Sequence, residues 1–202
     1  MGGIFLGFLC ALALIALLSR LRASQLPGGA LGLACWLLLA LTGLDGLNAF
    51  LFDGNLPHLY TPSTALRLFT GLAAGLGIGL MAVPVVASVV WSKPSDEASI
   101  EDPLELLGGL AIVGLVGGLM LAGAAVLLWP IAAAMLLGVL VAFGVANLYL
   151  ISLVTGRARQ ALALADLRGG LIGSVGLALL ELAGLSVLRS FLVMQFGFTW
   201  GI

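Results

Sequence analysis

Four ionisable side chains, Asp45, Arg67, Glu181 and Arg189, fall inside long apolar runs. A charge at the centre of a membrane-spanning helix costs about 2.5–3.5 kcal/mol on insertion scales, so each needs a partner, water or a function. Asp45 precedes the end of its run and Arg67 follows the start of the next, which puts both roughly 7–11 Å below the same surface at 1.5 Å per residue. Consecutive helices joined by a short loop are normally neighbours, and this predicts an Asp45–Arg67 ion pair. Asn48 shares a helix face with Asp45, and Thr64, Thr70 and Gly71 share one with Arg67. Arg189 lies near the same surface on the last run, and Glu181 is two turns deeper, near the midplane. The expected site is therefore an intramembrane polar cluster of Asp45, Asn48, Arg67, Thr70, Glu181 and Arg189. Two readings of it stay open: a salt bridge that fixes helix packing, or a site that touches a solute, an ion or a lipid headgroup. Glu181 is the strongest candidate for the second, because a lone midplane carboxylate either stays protonated or serves a proton or cation.

Other chemistries find little support. No nucleophile–base pair or metal triad lies within the runs, so the reading leans away from an enzyme. His58 is the sole histidine, and Cys10 and Cys35 lack any C-x-x-C spacing. No metal site or cofactor is expected from that set. The cysteines read as small buried hydrophobes and His58 as a solvated loop residue. Gly75-x-Gly77-x-Gly79 sits within a predicted spanning helix with no strand before it, which removes the geometry of a phosphate loop. A net charge of −1 with no Lys/Arg cluster excludes a nucleic-acid partner.

The elements that must position these residues are membrane helices. Of 202 residues, 62% are hydrophobic and 8% charged, too few charges to cover a soluble fold of this size. The fold class is all-α, a polytopic integral membrane helical bundle of about six transmembrane helices. The runs are 3–18, 30–52, 61–91, a long tract from 106 to about 154, and 169–195. Thr61-Pro62 is expected to start the third helix, with Thr as cap and Pro at the first position. Pro84 is a kink candidate within that helix. Asp102-Pro103-Leu104-Glu105 reads as a capping box that starts the fourth. The long tract would measure roughly 75 Å as one helix, so it must fold back. Trp129-Pro130 is the expected turn. Ser19-Arg20-Leu21-Arg22 is a poor cleavage site, and the first run is expected to stay as a helix.

Arg20, Arg22, Lys93, Arg157, Arg159 and Arg168 all fall in the first, third and fifth loops. Positive residues stay on the cytoplasmic side, so both termini are expected outside. The 29 glycines form small-residue stripes in the G-x-x-x-G pattern: Gly71/Gly75/Gly79, Gly114/Gly118 with Ala122, and Gly169/Gly173. Such stripes let helices approach closely, within this chain or against another.

Asp45-Gly46-Leu47-Asn48, a polar loop, and then Ser63-Thr64-Ala65-Leu66-Arg67-Leu68-Phe69-Thr70-Gly71 resemble the core signature of a prokaryotic membrane family, domain of unknown function 2085. The resemblance covers about residues 1–80. It implies a prokaryotic cell-membrane location and leaves activity undefined. Gly3-Ile4-Phe5-Leu6-Gly7-Phe8 is similar to the segment that in that family follows Cys-x-x-Cys-Thr-Gly. That motif has no counterpart in this chain, and no thiol or metal chemistry carries over. Either the motif is lost in this member or the sequence begins downstream of its natural start.

The expected organisation is a three-helix unit over 1–91, an acidic cytoplasmic loop over 92–105, and three further spans over 106–202. The expected function is a non-catalytic membrane component that packs through glycine-rich helix faces. Its partners are the bilayer and a second copy or a larger membrane complex. The alternative is a carrier or channel for a small solute or ion that uses the Asp/Arg/Glu cluster.

Overall fold

A computed structural model describes residues 2–123, 125–156 and 158–196. Met1, Arg157 and the C-terminal tail, which entered the reading above, lie outside them. Six helices follow in order: α1 (Gly2–Leu17), α2 (Gly29–Asp53), α3 (Thr64–Val90), α4 (Pro103–Leu121), α5 (Leu128–Val154) and α6 (Arg168–Phe196). The chain is an all-α bundle, as its composition requires. Five of the helices are long and apolar enough to cross a membrane. The sixteen residues of α1 span about 24 Å, short of a hydrocarbon core of roughly 30 Å.

The bundle is built around α3. Its apolar span is 56% buried, against 17% for α2 and 11% for the α6 region, so α3 is the central post and the others surround it. Glycines set the distance between α1 and α3. A Cβ at Gly75 would overlap the carbonyl oxygen of Ile4, and one at Gly7 would overlap that of Leu72. Only glycine permits backbones this close. Leu6, Cys10, Leu14 and Ile15 of α1 then pack with Leu72, Leu76, Leu80 and Val83 of α3, joined by Cys35 from α2 and Leu106 and Val113 from α4. Both cysteines are buried and free.

Helix ends follow local chemistry, with two departures. Asp102 caps α4 as expected: its carboxylate accepts from the Leu104 amide at 2.8 Å, and Glu105 accepts from the Asp102 amide at 3.3 Å. The cap of α3 is Ser63 and not Thr61; Ser63 Oγ accepts from the Leu66 amide at 3.1 Å. Pro84 lies inside α3, which continues through it. The turn between α4 and α5 uses Gly123 and a short 3-10 turn, Ala125–Leu127, upstream of Trp129-Pro130. Gly123 takes φ +64° there, a conformation only glycine adopts without cost. Pro130 sits in the first turn of α5, where its missing N–H would have had no helical partner.

The first, third and fifth loops meet on one face. Two short strands, β1 (Ala23–Gln25) and β2 (Ser95–Ala98), pair in parallel, an addition the sequence did not announce. Ser92 and Arg159 tie the fifth loop to the end of α3 through Ser92 N–Ala161 O at 2.9 Å and Arg159 N–Val89 O at 2.7 Å. Ser99 Oγ donates to Leu80 O at 2.7 Å and directs Ile100 into the core.

Candidate functional site

The outer cluster forms around Asp45, which is only 4% exposed. Its partner is a loop residue. Tyr60 Oη donates to Asp45 Oδ1 at 2.5 Å, and Thr70 of α3 lies 3.4 Å from Oδ2. Asn48 holds the same loop: its Oδ1 accepts from the Leu59 amide at 2.7 Å and its Nδ2 donates to Tyr60 O at 2.9 Å. Thr42 of α2 donates to Thr70 O at 2.6 Å and closes the α2–α3 contact. Proximity to the Asp45 carboxylate, chiefly the hydrogen bond to it, raises the Tyr60 hydroxyl above the ordinary tyrosine range; burial adds to this, and Arg67 acts the other way. This arrangement holds the 54–63 loop over a buried acid.

The expected Asp45–Arg67 ion pair is not formed. Arg67 is exposed, and the ion pairs among the described residues are Arg20–Glu105 at 2.7 Å and Arg20–Glu101 at 3.6 Å. The reason is the rotation of α3. Gly71 and Gly75 face α1, and a Cβ at Gly3 would lie 3.0 Å from Leu68 O, so α1 begins level with this turn. Arg67, one turn before Gly71, therefore continues the α1-facing stripe past the start of α1 and emerges at the surface. Thr70 and Gly77 face α2 instead, and Gly77 abuts Cys35 O.

Glu181 and Arg189 belong to another part of the molecule, because α6 packs on α5. Glu181 is half-buried and accepts from Asn147 Nδ2 of α5 at 3.0 Å; the same amide lies 3.5 Å from Ser174 O. Arg189 is exposed on α6 beside Ser186, Ser190 and Met194. The six expected residues thus divide into Asp45, Asn48 and Thr70 in one group, with Arg67 outside it, and Glu181 and Arg189 on α6.

Sequence reasoning missed Tyr60, Thr42, Asn147, Ser152 and Ser174. Asn147 carried a signal, an amide in the middle of an apolar run. Tyr60 carried none, because loop residues have no periodicity to place them. His58 is exposed and meets Phe52 edge to face, with ring centroids 5.0 Å apart. Among the described residues no three metal-ligating side chains converge.

On the opposite face the loops are held by Arg20 and Arg22. Arg20 reaches the α4 capping box through Glu105, whose carboxylate also accepts from the Glu101 amide at 2.7 Å. Arg22 lies over the Trp91 ring, 4.6 Å from its centroid, and donates to Leu162 O at 2.7 Å. Trp91 Nε1 donates to Leu21 O at 3.3 Å. These basic residues are the interlocking pieces of a folded cap, with Lys93 exposed at its edge.

The family model described as predicted membrane protein (DUF2085) matches residues 1–81. It covers α1, α2 and most of α3, with Asp45, Asn48, Tyr60 and Thr70, and stops before the acidic loop. No curated protein matches the chain, and no solved structure matches it.

Proposed function

We infer from the family match over α1–α3 and the five apolar spans that the chain is a multi-pass membrane protein. We propose that it is a non-catalytic component of a prokaryotic cell membrane that assembles with a second copy of itself through the glycine face of α4. The observation that carries this reading is a contrast between two sets of glycines. Those of α1 and α3 are consumed by internal packing, whereas side chains added at Gly108, Gly114 or Gly118 would meet nothing within 4 Å. Leu107, Ala111, Gly114, Gly118 and Ala122 form an exposed stripe at helical spacing. In lipid such a stripe offers close helix approach and favourable packing, and two copies of one face are self-complementary. The three-helix unit 1–91 is the scaffold in this reading, and residues 106–202 add the assembly face. The cap carrying Arg20, Arg22 and Lys93 lies in the cytoplasm, with both termini outside.

The test is disulfide cross-linking of Gly114→Cys in native membranes, with mass measured in nanodiscs for the wild type and for Gly114→Leu/Gly118→Leu. A cross-linked dimer, reduced to a monomer by the leucine pair, is expected. A wild-type monomer that never cross-links would refute the reading. The carrier alternative has one observation in its favour, the Glu181–Asn147 contact, and five cavities among the described residues are lined without Asp45, Arg67 or Glu181.

A further inference from the structure

One face of α5 changes character along its length. Leu137, Val141, Gly144, Leu148, Ser152 and Thr155 recur at helical spacing, apolar through Leu148 and hydroxylated from Ser152 onward. The apolar part borders a void of about 270 Å³ against Leu171, Ser174 and Val175 of α6. The hydroxylated part borders a cavity of about 410 Å³ at the capped face, completed by Gln160, Asp166 and the first turn of α6. Leu148 stands in the wall of both. The two spaces adjoin along one seam, polar at the capped end and apolar further in.

The apolar space has the form of a slot for a hydrocarbon chain. Gly144 is buried, yet a Cβ there would meet nothing within 4 Å. Protein interiors are close-packed, so open space beside a buried backbone is room for something else. Leu137, Leu171 and Val175 are exposed, which turns the rim of the void toward lipid. From Leu148 to Leu137 the slot runs about 16 Å, close to half of a roughly 30 Å hydrocarbon core. That is the depth of one leaflet, and one acyl chain spans it.

The cavity at the capped end is rich in acceptors. Ser152 and Thr155 give their hydroxyl protons to Leu148 O at 2.7 Å and Ile151 O at 2.6 Å. Gln160 gives an amide proton to Gly156 O at 3.3 Å. Asp166 Oδ2 accepts from the Leu162 and Ala163 amides at 3.0 and 2.9 Å, and Oδ1 has no partner among the described residues. Lone pairs and a carboxylate remain, beside the C-terminal end of α5, whose dipole also favours a cation. No Lys or Arg is among the described residues that line this cavity. Arg22 and Arg159 are engaged in the cap, on the Trp91 ring and on Ser88 O. Arg168 is exposed at the start of α6, between the lining residues Leu167 and Gly169. Its charge and the positive end of the α6 dipole suit a phosphate. A headgroup that carries both an ammonium and a phosphate complements the two sides.

We propose that the α5–α6 seam binds one phosphatidylethanolamine-type lipid from the leaflet on the capped side. Its ammonium donates to Asp166 and the hydroxyl oxygens, its phosphate meets Arg168, and one acyl chain lies in the void beside Gly144. A choline headgroup brings the same charge with no N–H to donate.

Non-denaturing mass spectrometry of the full chain, with dioleoyl phosphatidylethanolamine or dioleoyl phosphatidylcholine added at equal concentration, tests this. Wild type should retain one ethanolamine lipid per chain, about tenfold more than the choline lipid, the scale of one charge-assisted hydrogen bond. Asp166→Asn keeps an oxygen for the two amide bonds and should bring that ratio to about one. Gly144→Leu fills the void and should lose both lipids while melting no lower than wild type. Gly184→Leu is its control, since a Cβ at Gly184 also meets nothing within 4 Å and Gly184 borders neither space. It should bind as wild type does. Phosphoethanolamine, the headgroup without chains, should not displace the lipid at equal concentration. Equal retention of the two lipids by wild type, or of neither, would overturn the headgroup site. Unchanged binding in Gly144→Leu, or displacement by phosphoethanolamine, would overturn the acyl slot.

Discussion

Gly75→Ala should separate α1 from α3 and destabilise the whole bundle. The added Cβ overlaps Ile4 O and lies 2.8 Å from both Ile4 C and Phe8 N, all three backbone atoms that cannot rotate away. Ordinary carbon contacts are roughly 3.5–4.0 Å, so relief requires the helices to part by on the order of 1 Å. A gap of 0.5–1 Å forfeits about a quarter to a half of the dispersion energy at every other contact in the interface. Overpacking typically costs about 1–3 kcal/mol, and an interface this central belongs at the upper end, about 3 kcal/mol. For a chain of this length that corresponds to a fall in Tm on the order of 10 °C. Gly43→Ala is the matched control: it adds the same methyl to α2 where nothing lies within 4 Å. Thermal unfolding of both variants in one detergent, followed by intrinsic tryptophan fluorescence, makes the comparison. A Gly75→Ala midpoint within about 1 °C of the wild type would show that α1 and α3 are not in backbone contact, and the account of the core would fail.

Three further outcomes follow from the same contacts. Because Arg67 emerges at the surface, Arg67→Gln should stay within about 0.5 kcal/mol of wild type, and an Asp45→Arg/Arg67→Asp exchange should be no more stable than Asp45→Arg alone; chemical unfolding midpoints decide this. Tyr60→Phe removes the shortest partner of a buried acid, and a loss of about 1–3 kcal/mol is expected, with faster proteolysis between residues 54 and 63. The Tyr60 hydroxyl is raised in the folded state, so its contribution is present below the ordinary tyrosine pKa of about 10 and is lost as pH rises through the higher folded value. Phenolate absorbance should therefore appear later in the wild type than in Asp45→Asn, and equal titration curves would break the assigned hydrogen bond.

What could be read from sequence was what depends on neighbours along the chain. The Asp102–Glu105 capping box is a local motif, and α4 begins there. The spans, and the grouping of three basic loops on one face, need only hydropathy and an up-down path. The α3 cap was misplaced because a distant residue decides it. Asn48 holds the backbone at Leu59 and Tyr60, so the chain reaches Pro62 still extended, and Ser63 is the first residue free to cap. The Asp45–Arg67 pair failed for a related reason. Depth below the surface follows from residue counting, but rotation about the helix axis does not. Rotation is set by Gly71, Gly75 and Gly79 against α1, and this turns Thr70, and not Arg67, toward Asp45.

The polar residues fall where the apolar packing is thinnest. On the α1–α3 axis, glycine contact and buried leucines hold the helices, with no side-chain hydrogen bond between them among the described residues. The helix with the least covered span, α6, has few apolar neighbours to hold it, and its seam contains Asn147, Ser174 and Glu181. An interhelical hydrogen bond in a membrane contributes about 0.6–2 kcal/mol, a small sum beside a packed interface but a large share of what attaches α6. Loss of the Asn147–Glu181 bond therefore acts on the attachment of one peripheral helix and leaves the α1–α3 core untouched.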